Sequence, residues 1–495
     1  MKKYLRLSPI IIITLILAFI IVQCAVNPVT GKKEIMLISE SMEIEMGKEI
    51  DSGIRQEYGL YNDPRMADYV AQVGDKLVPY THRPKLQYHF AILDTPVENA
   101  FAAPGGYIYI TRGLLAMINS EAEMATVLGH ELGHVNARHS ARQITRSILV
   151  TLGIVLAGEL SKDIKKIAPI SMIAAELLFL KYSRSDEYQA DELGVQYSLK
   201  TGYAAGELVS FFNSLQRLTA SAGGVHLPNF LSTHPMTPRR IDRIKELLAA
   251  NGYGEPGSMA GLAVGKNGYL QKVDGLVFGN DPRQGYVESG VFYHPGMQFY
   301  FRVPTGWKVS NTPMQVTMAP GDGKALIILK TEDTSESLDS YSQKMMKNLT
   351  NPQLIQQGFR YVNGLNAFET LAAFLPAQNE GSQAAKSEEV KVDLTSIRKD
   401  NNVFTFFSAA SLSDFSKYQP EIKRAVNSFN RLTSPEHLNR KPQRVFLKQV
   451  NRSQSLRYFL VNLGIPQQNW DKISLINAME LDQQLSANQP VKVIQ

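Results

Sequence analysis

His130-Glu131-Leu132-Gly133-His134 reads H-E-x-x-H, a spacing that acts as a unit only on a helix. At about 100° per residue, positions i and i+4 lie about 40° apart on one helix face. Two imidazoles so placed aim at one zinc ion, and Glu131, about 100° round from the first, can reach a water beside that ion. The chemistry is hydrolytic: two His hold Zn²⁺, and the Glu takes a proton from water as it attacks a carbonyl. The chain has nine His in 495 residues, so a chance match is on the order of one percent. The bland alternative is a surface helix with two exposed His, and the flanking residues argue against it. Ser120-Glu121-Ala122-Glu123 is an S-x-x-E capping box that starts a helix ten residues before the motif. Met124, Val127, Leu128, Leu132 and Val135 recur at helical spacing and give a core-facing stripe. Gly129 and Gly133 each weaken a helix by about 1 kcal/mol relative to Ala, so they point to another backbone close by or to a crowded site.

A catalytic zinc takes three protein ligands plus water. His139 is nine residues from His130, about 180° round on a continuous helix, and reads as a satisfied or solvated surface His. The better source is Ser183 to Glu192, where Ala190, Leu193, Val195 and Leu199 give a helix one buried side. Glu187 and Asp191 are i and i+4 and face one way; one carboxylate can bind metal while the other orients a ligand His through its free ring N–H. The residues themselves leave Glu187 only slightly ahead of Asp186 and Asp191, and an ordinary acidic helix face is the alternative.

Taken together, His130, Glu131, His134, Glu187, Asp191, then Thr233-His234-Pro235 and Arg240-Ile241, resemble metallopeptidase family 48, the gluzincins that include HtpX-, BepA- and Oma-type proteins. The resemblance covers roughly residues 25–250 and includes Asn99 to Tyr109, similar to the family's edge-strand segment. It implies one Zn²⁺ per chain on His130, His134 and Glu187, with Glu131 as general base and Asp191 behind the ligands. It implies that His234 and Arg240 act near the metal, His234 either as a fourth ligand that blocks the site or, with Arg240, as a stabiliser of the transition state; a structural turn is the alternative. Asn99, Ala100, Phe101, Tyr107 and Ile108 are expected to hold an extended peptide by main-chain hydrogen bonds, a mode that favours unfolded protein substrates. Tyr107 to Ile110 are strong strand formers, and an internal hairpin strand without substrate contact is the other reading.

The N-terminus carries Lys2, Lys3 and Arg6, then an apolar run from Pro9 to Val22 that ends at Cys24, the single cysteine. Its 14 residues suit a signal-peptide core and fall short of a membrane span. One cysteine excludes an internal disulfide. Ile21-Val22-Gln23-Cys24 resembles a bacterial lipoprotein cleavage box, so Cys24 is the expected lipidation site, although Gln23 stands where Gly, Ala or Ser is usual. An uncleaved N-terminal anchor is the alternative; both tether the protein to a membrane, facing the periplasm, and Ala25 resembles an outer-membrane address. Net charge is +6, and cleavage of the leader leaves about +3, which gives no case for nucleic acid. Residues 148–158 and 167–180 are apolar but interrupted, and read as core or site-flanking helices.

The fold class expected is α+β: a mainly helical zincin-like domain with a small edge sheet over 24–250 after a targeting segment at 1–23, a linker at 251–284, an α+β domain at 285–432, and a small unit at 444–495. Alternation at Met297 to Val303, a strand at Ala325 to Lys330, and a hairpin of Val392 to Arg398 with Val403 to Ser408 mark the middle domain. Helices are expected at 335–349 and 418–428, and a polar loop at 377–389. The last unit reads strand, helix, helix, strand and is loosely similar to LysM, a peptidoglycan-binding module, without its usual Gly-Asp-Thr; a structural or partner-docking role fits it equally. The sum is a zinc endopeptidase of the bacterial envelope acting on misfolded or misassembled envelope proteins. The rivals are an assembly factor for outer-membrane proteins whose proteolysis His234 restrains, or a peptidoglycan-associated binding protein; contact with peptidoglycan or the outer-membrane assembly machinery belongs to these readings.

Overall fold

The computed structural model describes residues 24–156, 181–221, 229–235, 237–254, 258–347, 349, 351–374 and 389–495. The targeting segment 1–23, the apolar stretch 167–180 and most of the loop at 377–389 lie outside the described residues. Two compact units emerge. One takes in the described residues up to Gly279 together with Gln443–Gln495, and the other takes in Asn280–Pro442. Among the described residues no helix is long and apolar enough to cross a membrane.

The first unit opens on a ribbon of β1 (Cys24–Val26) with β2 (Lys33–Ile35). Helices α1 (Glu40–Tyr58) and α2 (Pro64–Leu77) follow, each started by a side-chain cap, Ser39 and Asp63. β3 (His89–Leu93), β4 (Ala100–Ala103) and β5 (Tyr107–Thr111) make a three-stranded sheet in the order β3-β5-β4. β5 is parallel to β3 and antiparallel to β4. Tyr107 and Ile108, read from the sequence as part of a peptide-binding edge, therefore lie in the central strand, whose two edges are already hydrogen-bonded. The outer strands are β3 and β4.

Next come α3 (Arg112–Met117), α4 (Glu121–Asn136), α5 (His139–Leu156), α6 (Arg184–Lys200), α7 (Glu207–Ser221), the short α8 (Asn229–Thr233), α9 (Pro238–Ala250) and α10 (Lys266–Val273). α4 begins as expected on Ser120, whose hydroxyl accepts from the Glu123 amide at 3.0 Å. Glu123 reaches one residue further back than the usual box and accepts from the Asn119 amide. Every residue of α4 from Ala122 to Asn136 is buried, so it carries no single apolar stripe; it is a central helix packed against α2, α6, α7 and β4. The glycines explain how α6 comes so near. A Cβ on Gly194 would stand 2.9 Å from the His130 amide nitrogen, and one on Gly133 would stand 3.0 Å from Ala190 Cα. The α4–α6 contact is backbone on backbone.

The second unit is α+β. A seven-stranded antiparallel sheet runs β12-β13-β14-β15-β11-β10-β9, and a four-stranded one runs β16-β8-β7-β6. In chain order the strands are β6 (Tyr286–Glu288), β7 (Val291–His294), β8 (Phe299–Arg302), β9 (Lys308–Asn311), β10 (Gln315–Ala319), β11 (Ala325–Asp333), β12 (Gln353–Val362), β13 (Leu365–Phe374), β14 (Val390–Lys399), β15 (Asn402–Ser411) and β16 (Asn430–Arg431), with α11 (Leu338–Met346) and α12 (Phe415–Asn427). Its core gathers Phe299, Phe301, Phe404, Phe406 and Phe429. The β14–β15 hairpin turns at Asp400, with φ +56°.

The chain then returns to the first unit through β17 (Val445–Gln449), β18 (Gln454–Ser455), α13 (Leu456–Asn462), α14 (Trp470–Ile476), β19 (Gln484–Leu485) and β20 (Pro490–Ile494), with β17 antiparallel to β20. The sequence sets 444–495 apart, yet Val445, Ile473, Ile476 and Val491 share one apolar cluster with Leu114, Leu208 and Phe211. Lys492 is fully buried and its Nζ donates to the carbonyls of Ala116 (2.7 Å) and Ile118 (2.8 Å). The expected linker at 251–284 also joins this core: α10 buries Tyr269, whose hydroxyl donates to Leu115 O at 2.6 Å.

Candidate metal centre

α4 presents His130, Glu131 and His134 from one side, α6 presents Glu187 and Asp191 across the glycine contact, and His234 follows the end of α8. Arg240 comes from α9. All seven side chains are buried. His130 Nε2 lies 3.0 Å from His134 Nε2 and 3.2 Å from His234 Nδ1. Glu187 closes the ring: Oε1 is 3.1 Å from His234 Nδ1 and 3.6 Å from His134 Nε2, and Oε2 is 3.6 Å from His130 Nε2. These four residues offer donor atoms within 4.8 Å of one another, the arrangement that can hold a metal ion.

The donor chemistry fits zinc. Asp191 Oδ1 lies 3.0 Å from His130 Nδ1. A carboxylate there fixes the proton on Nδ1 and leaves the Nε2 lone pair facing the ring of donors. Lone pairs converging at such distances repel unless a cation sits among them. Tetrahedral bonds of about 2.0–2.1 Å to zinc set nitrogens roughly 3.3 Å apart, close to the separations seen.

Arg240 organises the carboxylates. It donates from Nε and Nη2 to the two oxygens of Asp191, each at 2.7 Å, and Nη1 is 2.9 Å from Glu187 Oε2. Burial alone would raise the pKa of Asp191, but the bidentate guanidinium outweighs it and holds it at about 2. Burial likewise opposes ionisation of Glu187, and His234 and Arg240 win, leaving its pKa below the usual carboxylate range. Glu131 differs. Burial pushes it up, both its oxygens are without a hydrogen-bond partner, and His234 Nε2 is 3.5 Å from Oε1. A buried carboxylate with free lone pairs beside a metal-ligating cluster is suited to take a proton.

His139 departs from its sequence reading. α4 ends at Asn136 and Arg138 adopts φ +55°, so the helical wheel does not extend to His139. The chain folds back, and His139 is buried with Nδ1 at 2.9 Å from His134 Nδ1 and Nε2 at 3.0 Å from Gln189 Oε1. It stands behind His134, outside the donor set. Tyr182 is a second residue at the site that no sequence motif marks. Its ring stacks on His134 at 4.0 Å between centroids, and its hydroxyl is 2.9 Å from Ser140 Oγ. A lone tyrosine next to a helix cap carries no sequence signal for such a role.

Of the five residues expected to hold a peptide, Asn99 and Ala100 border the centre. His234 Nε2 lies 3.4 Å from Ala100 O, Thr233 Oγ1 donates to Asn99 Oδ1 at 3.2 Å, and the Phe230 amide donates to Glu98 O at 2.8 Å. The Phe101 side chain packs instead with Ile50, Ile54 and Tyr109. Cys24 lies in β1, opposite Ile35 and remote in sequence from every residue of the cluster.

Residues 64–248 match peptidase family M48. The chain is 27% identical over 212 residues to the beta-barrel assembly-enhancing protease of Escherichia coli (strain K12), covering 41% of this chain and 43% of that protein. It is 32% identical over 202 residues to a putative beta-barrel assembly-enhancing protease of Vibrio cholerae, covering 39% and 41%. It is 34% identical over 161 residues to the mitochondrial metalloendopeptidase OMA1 of Arabidopsis thaliana, covering 32% and 31%. The chain thus spans less than half the length of these relatives.

Proposed function

Since residues 64–248 form a peptidase family M48 domain, we propose that the protein is a zinc-dependent endopeptidase of the bacterial cell envelope, tethered through its N-terminus, that hydrolyses misfolded or misassembled envelope proteins. The observation that carries this reading is the buried convergence of His130, His134 and Glu187 beside the carboxylate of Glu131, which accepts no hydrogen bond. His130, His134 and Glu187 would hold the ion, which when bound polarises a carbonyl and acidifies water. Glu131 takes the proton from the attacking water and passes it to the leaving amine; its raised pKa suits both halves of that exchange. Asp191 fixes His130 through Nδ1, and Arg240 fixes Asp191 and Glu187. An extended substrate would pair along the outer side of β4, where the carbonyl of Ala100 faces His234; the Asn99 amide and carbonyl are engaged by Thr111. The envelope location is supported by the names of the bacterial relatives and by the leader ending at Cys24.

A second reading is favoured by one distance. His234 Nδ1 lies 3.1 Å from Glu187 and 3.2 Å from His130 Nε2, the place of a fourth ligand. In that arrangement hydrolysis is restrained and the protein handles its clients as an assembly factor. The burial of 444–495 in the core of the first unit supports a structural role for that segment over a free peptidoglycan-binding one. The deciding experiment replaces Glu131 with Gln in the full-length protein. Loss of casein cleavage with one zinc retained per chain supports the endopeptidase; full rescue of a deletion phenotype by Glu131→Gln makes the assembly factor the working activity.

A further inference from the structure

The hydrogen-bond chain behind His134 does more than fill space. His139 opens α5, and its Nδ1 lies 2.9 Å from His134 Nδ1. Two neutral imidazoles can share that contact in only two ways, because one nitrogen must donate and the other accept. The far end of the chain settles which. His139 Nε2 faces Gln189 Oε1 at 3.0 Å and Asp186 Oδ1 at 3.6 Å. Both are oxygens, and the carboxylate can only accept, so the proton of His139 belongs on Nε2. Its Nδ1 is then a lone pair, which must accept from His134 Nδ1–H. That leaves His134 Nε2 unprotonated and directed at His130 Nε2, His234 and Glu187.

We infer that His139 is a positioning residue for metal capture: it accepts the Nδ1–H of His134 and so holds His134 in the tautomer whose Nε2 can bind the ion, with Gln189 and Asp186 setting His139 in turn. The inference rests on His134 being a metal ligand. His130 obtains the same service from Asp191 at 3.0 Å; His134 obtains it from a third histidine. The local fold is built around this contact. The break at Arg138, φ +55°, turns the chain back so that His139 reaches His134. Arg142 on α5 then holds Asp186 at 3.0 Å and Ala137 O at 3.2 Å, and Ser140 anchors Tyr182 against a face of the His134 ring.

The test compares His139→Phe, which keeps an aromatic ring and removes the acceptor, with His139→Asn, whose Oδ1 occupies the place of Nδ1. Zinc affinity of the full-length proteins is measured by competition with a chelator, and unfolding of the metal-free proteins is followed alongside. His139→Phe should bind zinc about 10–100-fold more weakly, and His139→Asn should stay within about threefold of the native protein. In parallel, ¹⁵N spectra of histidine-labelled, metal-free native protein should show His134 protonated on Nδ1, a readout that requires no variant to fold. Equal zinc affinity in His139→Phe, an equal loss in both variants, or a proton on Nε2 of His134 overturns the inference. Failure of the native protein to bind zinc would instead overturn the metal-centre reading on which it stands.

Discussion

Replacing Gly194 with Ala separates two opposed effects at the heart of the molecule. Gly194 lies inside α6, where Ala is favoured over Gly by about 1 kcal/mol, so helix propensity alone makes the variant more stable. Packing opposes it. The new Cβ would meet His130 N at 2.9 Å, His130 Cα at 3.1 Å and Gly129 C at 3.2 Å, all backbone atoms, where ordinary contact starts at 3.4 Å. No side-chain rotamer relieves this, so α4 and α6 must part by roughly 0.5 Å, with overpacking costing about 1–3 kcal/mol. The net is a loss of about 0–2 kcal/mol. The site suffers more than the fold, because His130 and His134 ride on one helix and Glu187 on the other. A constellation tolerates misplacement of about 0.5 Å, so kcat/KM should fall on the order of tenfold. Gly268 in α10 is the control: a Cβ there meets nothing within 4 Å, and Gly268→Ala should stabilise by about 1 kcal/mol with activity unchanged. Thermal unfolding and peptide-cleavage kinetics on both variants decide. If Gly194→Ala is as stable as Gly268→Ala and keeps full activity, the helices are not held by a backbone contact and the reasoning is wrong.

Glu131→Gln should reduce hydrolysis by about 100-fold or more while zinc content, read by metal analysis, stays at that of the native protein. His234→Ala should raise the cleavage rate of casein if His234 competes for the fourth position; a fall shows that it serves the reaction instead. Asp191 has a folded pKa of about 2 against 3.8, so its contribution is complete above the unfolded value and is lost as pH falls through the folded one. Asp191→Asn should therefore flatten the loss of stability between about pH 4 and pH 2, an effect of about 2 kcal/mol by urea unfolding. Lys492→Met removes both hydrogen bonds that Nζ donates to Ala116 O and Ile118 O, and each orphaned carbonyl costs about 1–3 kcal/mol; unfolding of the first unit should shift accordingly, although residue 492 is far in sequence from the metal ligands.

The reach of the sequence had a physical limit. Local signals carried well: the Ser120 cap, the i and i+4 spacing of Glu187 and Asp191, the glycines of α4, and the alternation that became β8, β11, β14 and β15 are each decided within a dozen residues. Non-local ones did not. His139 reads as lying on the far side of a helix because nothing in Asn136-Ala137-Arg138 announces a residue at positive φ; arginine is seldom found there. The segment 444–495 has its own strand-helix-helix-strand pattern, but an isolated pattern cannot say whether its apolar face closes on itself or on Leu114 and Phe211. Tyr107 and Ile108 look like edge-strand residues because propensity records that a residue suits a sheet, not whether its strand has a free side.

The position of α8 links the edge of the small sheet to the metal cluster. The edge of β4 and the fourth position at the metal cluster are held by the same six-residue segment. The Phe230 amide is bonded to Glu98 O and the Thr233 hydroxyl to Asn99, while His234 spans from Ala100 O on one ring nitrogen to Glu187 on the other. A peptide that pairs with β4 at Ala100 would donate to that carbonyl and so meet His234 Nε2 at the same oxygen. Once Nε2 lets go, the ring loses the contact that aims Nδ1 at Glu187 and His130. Strand pairing and the His234 contact are thus competing uses of one carbonyl oxygen. Free energy gained when an extended chain adds to the edge is available to open the metal position, whereas a small substrate with no strand to add gains nothing there. Under the proposed function, a preference for extended protein segments and a restraint on hydrolysis by His234 would be one equilibrium.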